Sequence, residues 1–195
     1  SFYHEILIHN QRTMNLIGKG SVEDIWIRHF CDSAKIFVII KGVLVKKNLS
    51  RPKICDVGSG AGFPGMVISL LMEMNDCAFR MDLVESISKK CTFLEDLKKS
   101  LRVKVRIINE RIENLDISYD IIVCRAVAPL KRFLPMVFKN LKKESILIIP
   151  KGKSWKSEIE EVKNNWKFLI NIVKNNKSID SSGGVTLVIR NLKKR

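Results

Sequence analysis

Long apolar segments are missing from this sequence of 195 residues. The longest uninterrupted apolar run, Ile36 to Ile40, ends at Lys41, whereas a membrane-spanning helix needs about 20 such residues. The N-terminal residues also lack the basic and then apolar layout of a secretory signal peptide. These absences predict a protein with neither a membrane-spanning segment nor an export signal.

Cysteine is sparse and irregularly spaced. The five cysteines stand at positions 31, 55, 77, 91 and 124, an odd number with no two of them two or three residues apart. This pattern disfavours both a disulfide framework and a metal site of closely spaced thiols. Cys55 and Cys124 fall inside apolar segments, where a reduced thiol packs as a small hydrophobic group. We therefore expect a cytoplasmic protein without a metal.

Acidic residues are few relative to basic ones. The chain has 35 Lys and Arg residues against 20 Asp and Glu residues, a formal net charge of +15 and an isoelectric point near 9.8. Residues 1–53 carry nine basic and four acidic side chains, residues 54–150 carry fifteen and twelve, and residues 151–195 carry eleven and four. A domain this basic usually meets a polyanion, either nucleic acid or an anionic membrane. The distribution predicts a nearly balanced core between two basic, polyanion-facing ends.

Short apolar segments alternate with amphipathic ones from residue 53 onward. Strands are predicted at 53–57, 79–84, 103–108, 119–124, 145–150, 167–174 and 185–190, and helices at 33–41, 64–74, 86–101, 130–141 and 155–164. Such alternation indicates a parallel sheet covered by helices on both faces, and the last two strands indicate an antiparallel hairpin at one edge. The chain is therefore divided into an N-terminal helical extension, residues 1–52, and an α/β domain, residues 53–195.

A glycine-rich segment follows the first of these strands. It reads Asp56-Val57-Gly58-Ser59-Gly60-Ala61-Gly62-Phe63-Pro64-Gly65. Alternating glycines let the backbone turn sharply and approach a ligand at the carboxyl edge of the sheet. The spacing of Gly60, Gly62 and Gly65 matches a dinucleotide fingerprint, and thus a nicotinamide-dependent oxidoreductase. The spacing of Gly58, Gly60 and Gly62 after an acidic strand end instead suits S-adenosylmethionine, which has no phosphates and carries a cationic sulfonium.

The end of the second predicted strand supports either of these two ligands. Glu85 stands there, and a carboxylate in that position can accept hydrogen bonds from both ribose hydroxyls of a nucleoside. The C-terminal hairpin and the basic ends of the chain favour a methyltransferase. From these features alone the oxidoreductase remains open.

Further motifs surround the glycine-rich segment. They are Asn15-Leu16-Ile17, Arg28-His29-Phe30-Cys31-Asp32-Ser33, Glu85-Ser86-Ile87-Ser88-Lys89-Lys90, Arg111-Ile112-Glu113, Cys124-Arg125-Ala126-Val127-Ala128 and Lys151-Gly152. Together with the glycine-rich segment, and in this order, they resemble the bacterial RsmG family of 16S rRNA guanine-N7 methyltransferases, also called glucose-inhibited division protein B. The resemblance covers nearly the whole chain. One departure is Glu85, which stands where the family usually has Asp and keeps the carboxylate.

This resemblance implies a class I S-adenosylmethionine-dependent methyltransferase fold, Rossmann-like, with a mostly parallel seven-stranded sheet and an antiparallel edge strand. It implies transfer of a methyl group from S-adenosylmethionine to N7 of guanosine 527, in the 530 loop of 16S rRNA. The partner implied is the 30S ribosomal subunit, and no membrane is involved. We further expect a monomer. A non-catalytic RNA-binding assembly factor with the same fold is a further alternative, against which the intact glycine segment counts.

The cofactor residues come from two sources. The residues alone point to Asp56, Gly58, Gly60, Gly62 and Glu85. The family resemblance, carried over by position, implies Gly58 again and also Phe63, Ile112, Glu113 and Arg125.

Methylation at guanine N7 requires no general base, because N7 carries a lone pair in the neutral base. No residue is therefore assigned as an acid or base. Arg125, at the end of the fourth predicted strand, is expected either to bind the methionine carboxylate or to donate to guanine O6. The residues expected to face RNA are Arg28, Lys89, Lys90, Lys131, Arg132, Lys151 and Lys153.

Overall fold

Seven strands form one sheet in a computed structural model of the chain, which describes residues 2–18, 20, 22–174 and 184–195. They are β1 (Lys53–Val57), β2 (Arg80–Glu85), β3 (Arg106–Asn109), β4 (Tyr119–Cys124), β5 (Leu141–Lys151), β6 (Trp166–Lys174) and β7 (Val185–Lys194). The predicted bounds of β1 and β4 are confirmed. β7 runs four residues beyond its prediction, because its polar end still pairs with the start of β6, where Lys194 lies opposite Trp166.

The strand order is β3-β2-β1-β4-β5-β7-β6. The pairings of β1 with β2 and β4, of β2 with β3 and of β4 with β5 are all parallel, and β7 is antiparallel to both β5 and β6. The terminal hairpin is thus at one edge of the sheet, as predicted. Its antiparallel member, β7, lies one position inside, and β6 forms the edge itself. The chain order reverses between β1 and β4, and ligands of such sheets bind beyond the carboxyl ends of the strands at this point.

Side chains of the central strands alternate between two apolar clusters. On β4, Ile121 and Val123 belong to one cluster, and Ile122 and Cys124 belong to the other. Successive side chains of a strand point to opposite faces, so this alternation buries both faces of the sheet, as is typical of parallel sheets. The Cys124 thiol is reduced and buried, as expected.

Helices cover both faces. They are α1 (Phe2–Met14), α2 (Asp32–Lys47), α3 (Gly65–Met74), α4 (Ser88–Leu101), α5 (Leu130–Val137) and α6 (Trp155–Lys163), with a π-helix at Trp26–Cys31 and 3-10 turns at Ile112–Asn114 and Phe138–Asn140. α5 ends before its predicted limit because the buried Asn140 side chain donates from Nδ2 to the Leu115 and Ile117 carbonyls. None of the described helices is long and apolar enough to cross a membrane.

The helices before residue 53 pack into the sheet's own core. Tyr3 and Leu7 of α1 and Ile36 of α2 share an apolar cluster with Ile54 of β1 and Leu83 of β2. Burial of such side chains stabilises each by about 1.5–3 kcal/mol. The division of the chain at residue 52 remains a prediction, and the apolar core continues across it.

Candidate cofactor and acceptor site

The glycine-rich segment forms a loop between β1 and α3. Its turn is fixed by backbone hydrogen bonds, from Gly58 N to the Val84 carbonyl at 2.8 Å and from Gly62 N to the Ser59 carbonyl at 2.7 Å. Gly60 has a φ of +54°, a conformation that side chains with a Cβ adopt at a cost. A Cβ at residue 60 would meet no atom closer than the Gly58 carbonyl oxygen at 3.8 Å. The loop therefore presents open space in front of Gly60.

Glu85 lies against this same part of the loop. Its Oε2 accepts a hydrogen bond from Gly60 N at 3.0 Å, and its Oε1 accepts one from Ile87 N at 2.9 Å. A carboxylate oxygen has two acceptor positions, so each oxygen keeps one for a further donor. The residues present thus fit a ribose whose two hydroxyls donate to Glu85 beside the glycine loop.

Asp56 is wholly buried at the end of β1. Its Oδ2 accepts from Gly65 N at 2.9 Å, whereas its Oδ1 has no partner within the part of the chain that the structure describes. Burial raises the pKa of Asp56 from 3.8 to about 7, against the opposing effect of the Gly65 N–H. Asp56 is thus a buried carboxyl group that is about half ionised near pH 7.

Two further positions of the glycine segment serve packing. A Cβ at Gly65 would overlap the Leu83 side chain and lie 2.7 Å from Asp56 Cβ, so this glycine lets α3 approach the sheet closely. The Phe63 ring is buried in an aromatic cluster, stacked on Tyr3 at 5.2 Å between centroids. Any contact of residue 63 with a cofactor would therefore be made by its backbone atoms.

Ile112 and Glu113 lie on the 3-10 turn that follows β3. Ile112 is buried in the cluster that contains Val57 and Val84, the side chains at the ends of β1 and β2. Glu113 is half-buried beside it. The structure therefore places both residues at the carboxyl edge of the sheet, and their contact with the cofactor stays a prediction.

Arg125 follows β4 and turns toward the N-terminal helices. Its Nη1 donates to the Arg28 carbonyl at 2.6 Å, its Nη2 contacts His29 Nδ1, and its guanidinium lies 5.5 Å from the centre of the Phe63 ring. Burial and the positive charge of Arg125 lower the pKa of His29 to about 4. His29 is therefore neutral near pH 7, and its Nδ1 can accept from Arg125.

A cavity of about 1160 Å³ lies beyond the carboxyl ends of β4 and β5. Arg28, His29 and Asp32 line one side, Arg125 to Pro129 line another, and Lys153 and Thr186 contribute from the far side. Of the described residues, those of the glycine loop do not line this cavity. The candidate site thus has two parts, a cofactor side at the loop and Glu85, and a cavity that begins at Arg125.

Val127 joins these two parts. A Cβ at Gly58 would overlap the Val127 side chain, so the segment after β4 packs directly on the glycine loop. The segment 125–127 therefore borders both the loop and the cavity.

The residues expected to face RNA differ in exposure and in pairing. Arg28 and Lys153 are exposed on the cavity lining, Lys89 and Arg132 are exposed on helices, Lys90 is half-buried, and Lys131 pairs with Glu161 at 2.8 Å. Lys151 also lines the cavity, but it is already paired. Its side chain is only 10% exposed, and its Nζ donates to Glu158 Oε2 at 2.7 Å and to the Ala128 carbonyl at 2.9 Å.

The pair of Lys151 with Glu158 also has a structural role. Glu158 Oε2 also accepts from Leu130 N at 2.8 Å, so the buried ion pair holds the segment between Arg125 and α5. The charge of Lys151 is offset by Glu158 within this pair. The RNA-facing role of Lys151 and of the other six residues remains a prediction.

Tyr3 and Glu158 are functional candidates that the sequence patterns did not indicate. Both act through contacts between segments far apart in the chain, and no local pattern announces such contacts. Within the described residues, no group of three or more His, Cys, Asp or Glu side chains is arranged to hold a metal ion.

Comparison with known proteins agrees with this geometry. A family model described as rRNA small subunit methyltransferase G matches residues 1–185. Two proteins named ribosomal RNA small subunit methyltransferase G are similar to the chain. The protein of Zymomonas mobilis subsp. mobilis is 37% identical over 78% of this chain and 68% of its own length. That of Rickettsia bellii is 35% identical over 94% of this chain and 87% of its own length.

Solved structures establish the fold class. Magnesium protoporphyrin IX methyltransferase from Synechocystis PCC 6803, solved with bound S-adenosylmethionine, has a TM-score of 0.64 at 12% identity and covers 96% of this chain and 97% of that one. A ribosomal protein L11 methylase from Lactobacillus delbrueckii subsp. bulgaricus has a TM-score of 0.61 at 13% identity and covers 82% and 79%. The fold is that of the class I S-adenosylmethionine-dependent methyltransferases.

Proposed function

This chain belongs to the rRNA small subunit methyltransferase G family, and we propose that it transfers a methyl group to N7 of guanosine 527 in the 530 loop of 16S rRNA. Family membership makes it an rRNA methyltransferase whose cofactor is S-adenosylmethionine. The choice of nucleotide and of atom is the proposal. The membership removes the nicotinamide-dependent oxidoreductase alternative.

The choice of N7 of guanosine 527 rests on the family, whereas one observation supports methyl transfer at this site: the cofactor loop and the cavity share a wall. Val127 packs on Gly58, and Arg125, two residues earlier, lines the cavity. Methyl transfer requires the acceptor atom, the methyl carbon and the sulfur to lie in line, and such positioning can supply about 7–11 kcal/mol of the barrier reduction in favourable cases. A site whose two halves meet at a single segment is suited to this alignment.

On the cofactor side, the backbone of Gly58 and Gly60 would lie along the bound molecule, and Glu85 would accept from its ribose. When bound there, S-adenosylmethionine supplies an electrophilic methyl group on a cationic sulfonium. Asp56, with its pKa near 7, would gain negative charge as a cation arrives nearby, because an adjacent positive charge favours the ionised carboxylate. Ile112 and Glu113 would border the adenine.

On the acceptor side, Arg125 would donate to guanine O6. Arginine has five N–H donors, of which Arg125 uses one on the Arg28 carbonyl and directs another nitrogen at His29. Its place in the cavity wall favours this role over binding the methionine carboxylate. The N7 lone pair needs no deprotonation, so Arg125 acts by orienting the base, and no general base is required.

The experiment that tests this function is methyl transfer in vitro. The purified protein is incubated with radiolabelled S-adenosylmethionine and either 30S subunits from a strain lacking this modification or the naked 16S rRNA. We expect 7-methylguanosine as the labelled nucleoside, with the 30S subunit as the better substrate. A labelled nucleoside other than 7-methylguanosine contradicts the proposed atom. Binding to the subunit without transfer would support the assembly-factor alternative.

A further inference from the structure

Tyr3 of α1 is buried against the cofactor loop, although it is 55 residues away from that loop in sequence. Its side chain is 2% exposed, and its Oη donates to the Ala61 carbonyl at 2.7 Å. Its ring is parallel to that of Phe63, at an interplanar angle of 6° and a centroid distance of 5.2 Å. One side chain thus holds both the backbone and a ring of the glycine segment.

The fit between Tyr3 and the loop is close enough to dictate a glycine. A Cβ at Gly62, where φ is +91°, would lie 2.6 Å from Tyr3 Oη. Such an approach is shorter than a carbon and an oxygen tolerate, so the hydroxyl takes up the space that any other residue at 62 would need. Gly62 therefore serves the contact with α1, and its place in the glycine spacing does not by itself reflect a ligand.

The same aromatic cluster reaches the acceptor side. The Phe63 ring that stacks on Tyr3 also lies 4.9 Å from the His29 ring and 5.5 Å from the Arg125 guanidinium. Phe30 of the π-helix meets Tyr3 edge to face at 5.1 Å. The position of Tyr3 is thus set by residues from both halves of the site.

We propose that Tyr3 is a positioning residue that holds the Gly58–Phe63 loop in its cofactor-binding conformation. The inference rests on the proposed function only in that the loop binds the cofactor, and it does not depend on which nucleotide is methylated. Ordering a residue's backbone costs about 1–2 kcal/mol, and a glycine-rich loop has more conformations to lose. If only a fraction of molecules has the competent loop, the apparent affinity equals the intrinsic affinity multiplied by that fraction. The Tyr3 hydroxyl keeps this fraction high.

The chain offers a matched control, because it contains only two tyrosines. Tyr119 is also buried, and its Oη donates to Asp82 Oδ2 at 2.9 Å, with Arg106 paired to the same carboxylate. Tyr3→Phe and Tyr119→Phe each remove one buried hydroxyl oxygen and leave the ring. We expect each change to lower the melting temperature by about 2–4 °C. The two variants differ in which hydroxyl contacts the loop.

The first measurement is calorimetric binding of S-adenosylhomocysteine, the demethylated product. We expect Tyr3→Phe to weaken binding by about three- to tenfold, the effect of losing one hydrogen bond, and Tyr119→Phe to bind as the parent does. Parental affinity in Tyr3→Phe overturns the inference. Equal weakening in both variants also overturns it, because the cause would then be general loss of stability.

The second measurement needs no ligand. Hydrogen exchange of the Gly60 and Gly62 amides in the free protein should be faster in Tyr3→Phe and unchanged in Tyr119→Phe. Unchanged exchange in Tyr3→Phe overturns the inference. A parent that binds no S-adenosylhomocysteine would contradict the assigned cofactor site, whereas the exchange data would still decide whether Tyr3 orders the loop.

Discussion

The backbone N–H of Gly60 donates to Glu85 Oε2 at 3.0 Å, so the glycine loop after β1 and the carboxylate at the end of β2 form one unit. The two residues are 25 positions apart in sequence, Gly60 in the loop after β1 and Glu85 at the end of the neighbouring parallel strand β2. Because the carboxyl ends of parallel strands meet at one edge of the sheet, the loop and the carboxylate can contact the same ribose.

Glu85→Gln should weaken S-adenosylhomocysteine binding by about 10- to 100-fold. Hydrogen bonds to a charged group contribute about 1.5–3 kcal/mol. In the variant, the glutamine amide nitrogen would also face one of the two backbone N–H groups that now donate to the carboxylate. Calorimetry measures the effect. Glu85→Asp is the control, since it keeps the carboxylate, and it should bind more tightly than Glu85→Gln. Equal affinities of parent and Glu85→Gln would remove Glu85 from the site.

Gly60→Ala should reduce cofactor binding with little effect on the rest of the fold. Its methyl group would enter the open space beside Glu85. A side chain at Gly58 would instead collide with Val127 and so disturb the cavity lining as well. The positive φ adds a strain of about 1 kcal/mol.

Gly42→Ala on α2 provides the comparison for Gly60→Ala. A Cβ at Gly42 meets no atom within 4 Å, and alanine within a helix is more stable than glycine by about 0.5–1 kcal/mol. We expect Gly42→Ala to raise the melting temperature slightly and to leave the affinity unchanged. If Gly60→Ala also binds as the parent does, the open space in front of Gly60 is not the cofactor's.

Lys151 and Lys153 should separate in their effects, although both were expected to face RNA. Lys151→Met breaks the half-buried pair with Glu158, and removal of one partner of such a pair costs at most about 3–5 kcal/mol. It should lower both the free energy of unfolding and the rate of methyl transfer, because the segment after Arg125 loses its anchor. Thermal unfolding and turnover measure these effects.

Lys153→Gln should leave stability unchanged and flatten the salt dependence of RNA binding. Each phosphate contact contributes about one unit to the slope of log affinity against log salt. Binding of 30S subunits at several salt concentrations measures the slope. A flatter slope for Lys151→Met than for Lys153→Gln would reverse the two assignments.

Asp56 should make the protein less stable as the pH rises from about 4 to about 7. Its pKa is raised from 3.8 to about 7 by burial, so over this range the folded state binds more protons than the unfolded state, and the free energy of unfolding falls with pH. The stabilisation that the raised pKa of Asp56 contributes to the folded state is fully present below pH 4 and is lost as the pH rises through about 7.

Asp56→Asn tests this dependence. Its amide oxygen can keep the bond from Gly65 N, and its amide nitrogen replaces the unpartnered Oδ1. Chemical denaturation at several pH values should show a flatter profile between pH 4 and 7 for the variant than for the parent. Identical profiles would show that Asp56 keeps its ordinary pKa in the folded protein.

The central sheet could be predicted from sequence because its strands are short and apolar on both faces. β1 and β4 are buried at nearly every position, and a glycine-rich turn follows β1. β5 begins at Leu141, four residues before its predicted start, because Lys142, Lys143 and Glu144 are exposed and carry no apolar signal. The extra length of α2 beyond residue 41 has a similar cause. Its C-terminal half carries exposed residues such as Val45, which blur the helical periodicity.

The two halves of the site could be predicted to different degrees. The contact between the loop and Glu85 follows from spacing, because glycine and carboxylate positions at parallel strand ends are local signals. The role of Tyr3 depends on packing against a loop 58 positions away, and that of Lys151 depends on its contacts with Ala128 and Glu158 in other elements. A lysine near a strand end looks the same in sequence whether it meets a phosphate or, as Lys151 does, a buried glutamate.

The most direct test of the proposed activity is to map 7-methylguanosine in 16S rRNA from a strain that lacks this gene. N7-methylated guanosine is located by chemical cleavage at the modified nucleotide. Restoring the gene should restore cleavage at guanosine 527, and restoring Arg125→Ala should leave it strongly reduced. Full modification of guanosine 527 without the gene, or modification only at another nucleotide when the gene is restored, would contradict the account.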